Sequence, residues 1–458
     1  MAKRTVLGAD KRIYRRKIGF YPINYWVQSM FFQYYGKVEV KGVENIPKDV
    51  PVIFSPNHQN ALMDALIVLF SSPGDTIFLA RADLFRKKFL AYVLNTLKML
   101  PVFRIRDGVE ELGNNQEIFD ITVDVLHRKH QLCLMPEGNH GGYRRLRKLG
   151  KGIFRIAFKA QEKEGNKPYV KIVPVGLDFS DYIKQNQKLT VIYGKPIEVS
   201  DYWDTFMENG PRGLNHLKQR LIEDMKPLMI QIETEDYYDT YMGLRTIFND
   251  QMREVLGIEG KKLLDKFVAD KEMIQRLDTI LEYDESKIAS LNEKTVPYLE
   301  KLKKMNIRDW VVKTKGYNFG QSLWRNLALL ITLPIFVYGF INNAIMYFLP
   351  VRMVKGIKDL QFHSSVKAGA AYLISAPLSY AIQTALVGIF TPEWYYWAIY
   401  LVTVYPLGKL ALLWYKLMKK TQRGSWFRRQ LNRGKSDALE MVELRASIVT
   451  DTESLIGS

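Results

Sequence analysis

The sequence predicts an α/β domain with a largely parallel sheet flanked by helices, followed by a helical insert and a C-terminal membrane helix region. Short runs rich in β-branched residues alternate with helical stretches between residues 37 and 202, which is typical of strands joined by crossover helices. Apolar residues then recur at helical spacing over residues 213–307. Three later stretches are apolar over the length that crosses a bilayer.

These patterns set the predicted domain limits. The strand candidates lie at residues 38–40, 52–54, 76–79, 132–135, 171–175 and 189–193. We predict an N-terminal arm over residues 1–35, the α/β domain over 36–205, the helical insert over 206–315, the membrane region over 316–423 and a tail over 424–458. The insert carries no recognisable chemistry.

Charge and cysteine content narrow the function classes. The 458 residues include 66 Lys and Arg against 48 Asp and Glu, an excess that suits nucleic acid, phosphorylated substrates or an anionic membrane. The late apolar stretches favour the membrane. Cys133, the single cysteine, lies in an apolar run without disulfide or metal-binding spacing. We therefore expect it to be buried in a strand, in a protein that faces a reducing cytoplasm.

The N-terminal arm is first basic and then aromatic. Residues 3–17 carry seven Lys and Arg with no apolar core between them, which argues against a cleavable signal peptide. Residues 18–35 are rich in aromatic side chains but interrupted by polar residues and Pro22. This pattern suits a helix lying in the membrane interface, and an ordinary core helix is the alternative.

His58 and Asp64 are the first candidates for chemistry. They lie six positions apart, between apolar runs at residues 52–54 and 62–70. Six residues of helix rotate a side chain by about 240°, so the two cannot share one helix face. We therefore expect His58 in a loop and Asp64 in the first helical turn. A carboxylate that accepts one imidazole N–H leaves the other ring nitrogen free as a general base, whereas an unrelated loop histidine and first-turn acid are the alternative.

Two basic clusters lie in loops, one after a proline-led extended segment and one after the strand candidate at residues 132–135. Arg104 and Arg106 come just after a Pro-Val segment, and residues 135–152 combine Glu137 and Gly138 with further glycines and basic side chains. The basic residues of this tract are Arg144, Arg145, Arg147, Lys148 and Lys151. Ligands of open α/β sheets bind beyond the carboxyl ends of strands, and guanidinium groups bind phosphate with paired donors. These loops therefore predict a site for a phosphorylated substrate.

The ordered set of motifs resembles the glycerolipid acyltransferase family. The motifs are NHxxxxxD, an arginine after a Pro-Val segment, PEG before a basic glycine-rich tract, and VPVG, within roughly residues 36–203. That family transfers a fatty acyl group from a thioester to glycerol 3-phosphate, dihydroxyacetone phosphate or lysophosphatidic acid. The resemblance implies an acyltransferase fold for the α/β domain, with His58 deprotonating the acceptor hydroxyl and Asp64 holding its imidazole.

The resemblance also implies roles for the other motifs. Arg104 or Arg106 would bind the acceptor phosphate, with Arg104 ranked slightly ahead. Glu137 and Gly138 would shape the acceptor pocket. Pro174 and Gly176 of the VPVG motif would line the acyl-donor side.

Two departures qualify the match. The spacing from His58 to Asp64 is one residue longer than in most of the family, and this spacing resembles the fungal type of glycerol-3-phosphate and dihydroxyacetone-phosphate acyltransferase. A membrane region after the catalytic domain resembles that type too. The third motif reads MPEGNH where FPEGTR is usual, so its phosphate-binding residue stays open among a set of four. That set is Arg144, Arg145, Arg147 and Lys151.

The membrane region predicts a tight hairpin. Residues 368–390 and 394–414 are apolar and separated by three residues, and basic residues at both outer ends place these ends on the cytoplasmic side. Residues 324–349 are interrupted by Pro334 and polar residues, which predicts a kinked or re-entrant segment. The tail begins basic and ends polar, so we expect its start to touch anionic lipid and its end to be disordered.

Together these observations predict a membrane-bound enzyme of phospholipid biosynthesis. It would move an acyl group from acyl-CoA or acyl-ACP to glycerol 3-phosphate or dihydroxyacetone phosphate, without a metal or a bound cofactor, at the lipid bilayer. The alternatives are a lysophosphatidic acid acyltransferase and a non-catalytic membrane protein that binds lipid headgroups. Nucleic-acid binding is disfavoured by the membrane segments and by the lack of recognition motifs.

Overall fold

The computed structural model describes residues 10–102, 115–391 and 393–457, and it separates into two compact units. The first unit contains the described residues up to 231 together with Val354–Gly369. The second contains Ile232–Met353 and the described residues from 370 onward. Arg104 and Arg106 lie outside the described residues.

Within the described residues, eight strands of the first unit form one sheet. They are β1 (Lys37–Lys41), β2 (Val52–Pro56), β3 (Ile77–Arg81), β4 (Met99–Val102), β5 (Gln131–Cys133), β6 (Lys171–Phe179), β7 (Lys188–Tyr193) and β8 (Ile197–Glu198). The order is β1-β7-β6-β2-β5-β3-β4, with β8 beside β6. The pairs along β6-β2-β5-β3-β4 and the β1-β7 pair are parallel, whereas β7 and β8 run antiparallel to β6. This largely parallel sheet confirms the predicted fold class.

Helices cover this sheet. They are α1 (Phe20–Tyr34), α2 (Leu62–Ser71), α3 (Lys88–Thr96), α4 (Asn115–His127), α5 (Gly152–Gln161), α6 (Trp203–Glu208) and α7 (Gly210–Met225). All five residues of β2 are buried, as expected for a central parallel strand covered on both faces. Cys133 is buried at the end of β5, as the sequence predicts.

The helix α7 belongs to the first unit. Its residues Leu217, Leu221 and Met225 are buried in the same core as Ile53 of β2 and Phe154 of α5. The predicted boundary at residues 205–206 was therefore too early. Helical periodicity showed that this segment has an apolar face, but it did not show which core that face packs against.

The chain beyond residue 231 is helical. Its helices are α8 (Tyr238–Ile247), α9 (Asn249–Val255), α10 (Leu263–Tyr283), α11 (Glu285–Lys304), α12 (Asp309–Lys313), α13 (Phe319–Ile331), α14 (Leu333–Met353), α15 (Phe362–Ala368), α16 (Ala376–Phe390), α17 (Trp394–Asn432) and α18 (Ser436–Ile456). Of these, α15 belongs to the first unit.

Three helical stretches in the described part of the chain are long and apolar enough to cross a membrane. They are Leu333–Gly356, Phe362–Phe390 and Trp394–Asn432. A break lies where the sequence predicts a kink, because α13 ends at Ile331 and α14 begins just before Pro334, which has no N–H to continue the helical ladder. The re-entrant path stays a prediction.

The predicted disorder at the end of the tail was wrong. The helix α18 occupies that end, and its residues Met441, Ile448 and Ile456 are buried. Arg445 of the same helix donates from Nε to Oδ1 of Asp309 at 2.8 Å. The polar composition of this segment hid an apolar stripe that packs within the second unit.

Candidate active site

The carboxyl ends of parallel strands bring the candidate motifs to one edge of the sheet. Phe54 of β2 pairs with Cys133 of β5 and with Val173 of β6. The loop that carries His58 follows β2, and the PEG segment follows β5. Ligand sites of open α/β sheets lie at this edge, so the topology supports a site here.

Asn57 fixes the point at which the loop leaves the sheet. Its Oδ1 accepts from the Leu177 N–H at 2.7 Å, and its Nδ2 donates to the Leu177 carbonyl at 3.1 Å. Its own N–H donates to the Val175 carbonyl at 3.3 Å. The side chain thus continues the pairing of β2 with β6. Sequence reasoning gave Asn57 no role, although its place directly before His58 was a usable signal.

His58 and Asp64 are in direct contact. His58 lies in the loop and Asp64 in the first turn of α2, and Nδ1 of His58 is 2.8 Å from Oδ2 of Asp64. The same Oδ2 accepts from the backbone N–H groups of Gln59 at 2.8 Å and Asn60 at 2.7 Å. Asp64 is fully buried, whereas 15% of the His58 side chain is exposed. This arrangement fixes the orientation of the His58 ring through Nδ1.

The loop between these two residues is held in an unusual backbone conformation. Ala61, directly before α2, has φ 46° and ψ −124°, and a positive φ at a non-glycine residue costs about 1–3 kcal/mol. Side-chain contacts support the loop, since Tyr182 donates from its hydroxyl to Oε1 of Gln59 at 2.6 Å and Asn60 donates from Nδ2 to the Tyr35 hydroxyl at 3.1 Å.

Glu137 holds His58 from the backbone side. Its Oε1 accepts from the His58 N–H at 2.7 Å, and its Oε2 accepts from Nε of Arg147 at 2.9 Å. The carboxylate side chain is only 2% exposed, and burial raises the pKa of Glu137 while these donors oppose the shift. Nη2 of Arg147 is buried and makes no hydrogen bond within the described part of the chain.

The other basic candidates lie in different surroundings. Arg144 is buried and donates to the Asp178 carboxylate and to the Phe179 carbonyl. Lys151 is exposed directly before α5. Gly138 adopts φ +66° in the turn after β5, with open space where a side chain would begin. The substrate roles of these residues stay predictions.

Pro174 and Gly176 lie inside the sheet. Pro174 pairs with Ser55 of β2, and its carbonyl accepts from the Gly194 N–H at 2.9 Å. A Cβ at Gly176 would lie 1.8 Å from the carbonyl oxygen of Leu228, so this glycine permits a close backbone approach. Their predicted place beside the acyl donor stays a prediction.

Sequence reasoning missed His140. Its ring lies against the ring of His58, with centroids 5.4 Å apart and planes at 80°. Its Nε2 is 3.3 Å from Oδ2 of Asp359, and its ring also contacts Phe362, with centroids 5.3 Å apart. A second histidine three positions after Glu137 was the available signal, but Asp359 and Phe362 lie far along the chain.

The described residues contain no group of three or more His, Cys, Asp and Glu side chains that could hold a metal ion.

Comparison with known proteins identifies the class of this domain. Residues 37–178 match the family model Acyltransferase, and they include the His58–Asp64 pair and the PEG segment. The first unit thus contains an acyltransferase domain. This match and the curated relative described next show that the domain is similar to glycerolipid acyltransferases.

The curated relative is glycerol-3-phosphate O-acyltransferase 1 of Saccharomyces cerevisiae. It is 26% identical over 235 residues, which cover 50% of this chain and 30% of the relative. The match therefore spans less than a third of the yeast protein. A solved structure, the 1-acyl-sn-glycerophosphate (LPA) acyltransferase PlsC of Thermotoga maritima, aligns with 45% of this chain and 78% of its own, at a TM-score of 0.34 and 19% identity.

Proposed function

We propose that this protein is a membrane-bound O-acyltransferase that moves a fatty acyl group from a thioester to a hydroxyl group of glycerol 3-phosphate or dihydroxyacetone phosphate. The observation that carries the proposal is the contact between Nδ1 of His58 and Oδ2 of Asp64, at the ligand-binding edge of the sheet. The family match and the name of the yeast relative support the reaction and the acceptor. Such an enzyme would act in phospholipid biosynthesis.

His58 would act as the general base. Oδ2 of Asp64 accepts two backbone N–H groups and would take a third hydrogen bond from Nδ1–H of His58. Nε2 then removes the proton of the acceptor hydroxyl while the oxygen attacks the thioester carbonyl carbon. As the carbon–sulfur bond breaks, the imidazolium returns the proton to the leaving thiolate. The donor would be acyl-CoA or acyl-ACP.

Arg147 is our first candidate for the acceptor phosphate among the basic residues of its tract. The proposal is supported by Glu137, whose carboxylate accepts from both the His58 N–H and Nε of Arg147. Nη2 of Arg147 makes no hydrogen bond within the described residues, and we propose that it binds a phosphate oxygen. Arg144 would instead support the site by holding Asp178. Arg104 or Arg106 remains a proposed second phosphate ligand.

The apolar surface supports residence in a membrane. Three helical stretches in the part of the chain that the structure describes have membrane length, and basic residues flank the predicted hairpin of the last two. On the first unit, α1 exposes Tyr25, Trp26 and Phe32. We propose that these aromatic side chains enter the bilayer interface and that the catalytic domain faces the cytoplasm.

The direct test is an acyl-transfer assay on membranes that contain the full chain. Radiolabelled glycerol 3-phosphate, dihydroxyacetone phosphate and lysophosphatidic acid are offered in parallel, each with acyl-CoA or with acyl-ACP. We expect transfer to one of the first two acceptors, loss of transfer in His58→Ala, and normal transfer in the matched control His216→Ala, which changes an exposed histidine of α7. Preference for lysophosphatidic acid would contradict the proposed acceptor. No transfer to any acceptor would contradict the enzyme assignment.

A further inference from the structure

A late segment of the chain is part of the first unit, which contains His58 and Asp64. Val354–Gly369 packs with the α/β residues, although it joins two stretches of membrane length, Leu333–Gly356 and Phe362–Phe390. It begins with the end of the first stretch and finishes with α15 at the start of the second. The acyltransferase match at residues 37–178 does not include it.

Specific polar contacts attach this segment to the catalytic unit. Ser364, which is 1% exposed, donates from Oγ to the Tyr182 carbonyl and accepts from the Tyr34 hydroxyl at 3.3 Å. Lys367 donates from Nζ to the Ile183 carbonyl at 3.1 Å. Because these contacts fix α15, they also fix the position of the residues just before it.

Asp359, just before α15, and Phe362, the first residue of α15, reach the His140 ring that lies against His58. Oδ2 of Asp359 is 3.3 Å from Nε2 of His140, and the Phe362 ring contacts the His140 ring edge to face. The guanidinium of Arg81 also lies over the Phe362 ring, 5.3 Å from the ring centroid. His140 is therefore held at one nitrogen and at its ring, and only 10% of its side chain is exposed.

The contact between the His140 and His58 rings restrains His58 in a way that its hydrogen bond to Asp64 does not. One hydrogen bond to Nδ1 fixes an edge of the His58 ring but permits the ring to tilt about that bond. The near-perpendicular His140 ring restricts the tilt, because it packs against His58 with planes at 80°. A general base must be placed accurately, since a small displacement of a reacting group costs much of the rate.

We propose that Asp359 and Phe362 are positioning residues for acyl transfer, which act by holding His140 against the catalytic base His58. The proposal rests on the proposed function of His58. It makes the segment between two candidate membrane helices a working part of the catalytic site. A protein that lacks the segment would keep the family motifs but lose the support of the base.

The charges around His140 add a measurable signature. Burial, then the nearby His58, lowers the pKa of His140, and Arg147 acts in the same direction, whereas Asp359 and Asp64 oppose the shift. The other contact, Phe362, is uncharged. Because His140 lies against the proposed base, its titration should appear in the activity profile. Removal of the Asp359 carboxylate takes away negative charge and should move the acid limb of the activity profile to lower pH.

The test uses the full chain in membranes, with the acceptor that the transfer assay identifies. Asp359→Asn and Phe362→Ala should each lower kcat about 5- to 10-fold while the acceptor KM changes less than about 2-fold. Asp359→Glu should recover much of the loss. In a His140→Asn background, the same two changes should add less than about 2-fold, because their effect passes through His140.

The matched control is Asp49→Asn. Asp49 is exposed before β2, at the opposite edge of the sheet, and its φ of 59° is one that asparagine also adopts. We expect unchanged kinetics. The proposal is overturned if Asp359→Asn leaves kcat and the pH profile unchanged, or if it lowers kcat equally in the His140→Asn background. If the wild type transfers acyl groups and His58→Ala does not, such a result overturns this inference alone, whereas an inactive wild type overturns the proposed function.

Discussion

Replacement of Asp64 by asparagine separates the charge of this residue from its hydrogen bonds. Oδ2 of Asp64 accepts from Nδ1 of His58 and from the N–H groups of Gln59 and Asn60. The amide oxygen of asparagine can occupy the same place and accept the same bonds. The side chain is fully buried, so the loop should keep its shape while the negative charge beside the imidazole disappears.

The lost charge sets the size of the expected effect. In the proposed reaction, His58 becomes an imidazolium, whose charge centre lies about 4 Å from that of the carboxylate. At an effective dielectric constant of about 20, this attraction amounts to about 4 kcal/mol. Because about 1.4 kcal/mol corresponds to a tenfold change in rate, Asp64→Asn should lower kcat by up to about 1000-fold. The acceptor KM should change little, since Asp64 has no exposed surface for substrate.

The assay is acyl transfer under saturating donor and acceptor, with thermal unfolding of the purified variant as the check on folding. The exposed Asp49→Asn is the matched control. If Asp64→Asn is folded and turns over within about 3-fold of the wild type, the carboxylate does not stabilise a charged base and the mechanism is refuted. Loss of activity together with a large drop in melting temperature would show that the asparagine does not preserve the loop. In that case, Asp64→Glu provides the second measurement, because it restores the charge, and recovered turnover would support the mechanism.

Three further predictions follow from the site. Arg147→Ala should raise the acceptor KM about 10- to 100-fold, as expected for loss of a charged hydrogen bond, with the thioester KM unchanged; a fall in kcat alone would indicate that Arg147 acts through Glu137. Gly176→Ala should lower the free energy of unfolding by about 1–3 kcal/mol, because its Cβ would overlap the Leu228 carbonyl, whereas Gly152→Ala, with nothing within 4 Å, should be nearly neutral in the same thermal unfolding experiment. The pKa of His140 in the folded protein lies below its usual 6.5, so as the pH falls the unfolded chain binds a proton at His140 before the folded chain does. The free energy of unfolding should therefore fall as the pH drops below 6.5, and it should fall less in His140→Gln. Equal pH dependence of the melting temperatures would contradict this account.

Local sequence patterns were sufficient to predict much of the structure of the first unit. The alternation of β-branched runs and helical stretches predicted the parallel sheet, since neighbouring residues determine these preferences. The positions of His58 in a loop and Asp64 in the first turn of α2 followed from helix rotation over six residues. The break before Pro334 followed from the missing N–H of proline.

Sequence patterns did not show which hydrophobic core an apolar helix face would pack against. The apolar stripe of α7 suggests the start of a separate helical insert, yet Leu217 and Leu221 are buried in the same core as the strand residue Ile53. The tail read as disordered because it is polar, yet Ile448 is buried. In each case the apolar residues were visible in the sequence, but their packing partners lie elsewhere in the chain.

The sequence by itself determined the fold class, the motifs and the pairing of His58 with Asp64, because these depend on spacing over a few residues. Tertiary structure alone decided that Glu137, 79 positions from His58, binds its backbone, and that Asp359 and Phe362 reach His140. The physical reason is that backbone geometry limits where near neighbours can lie, whereas contacts between distant residues depend on the packing free energy of the whole fold.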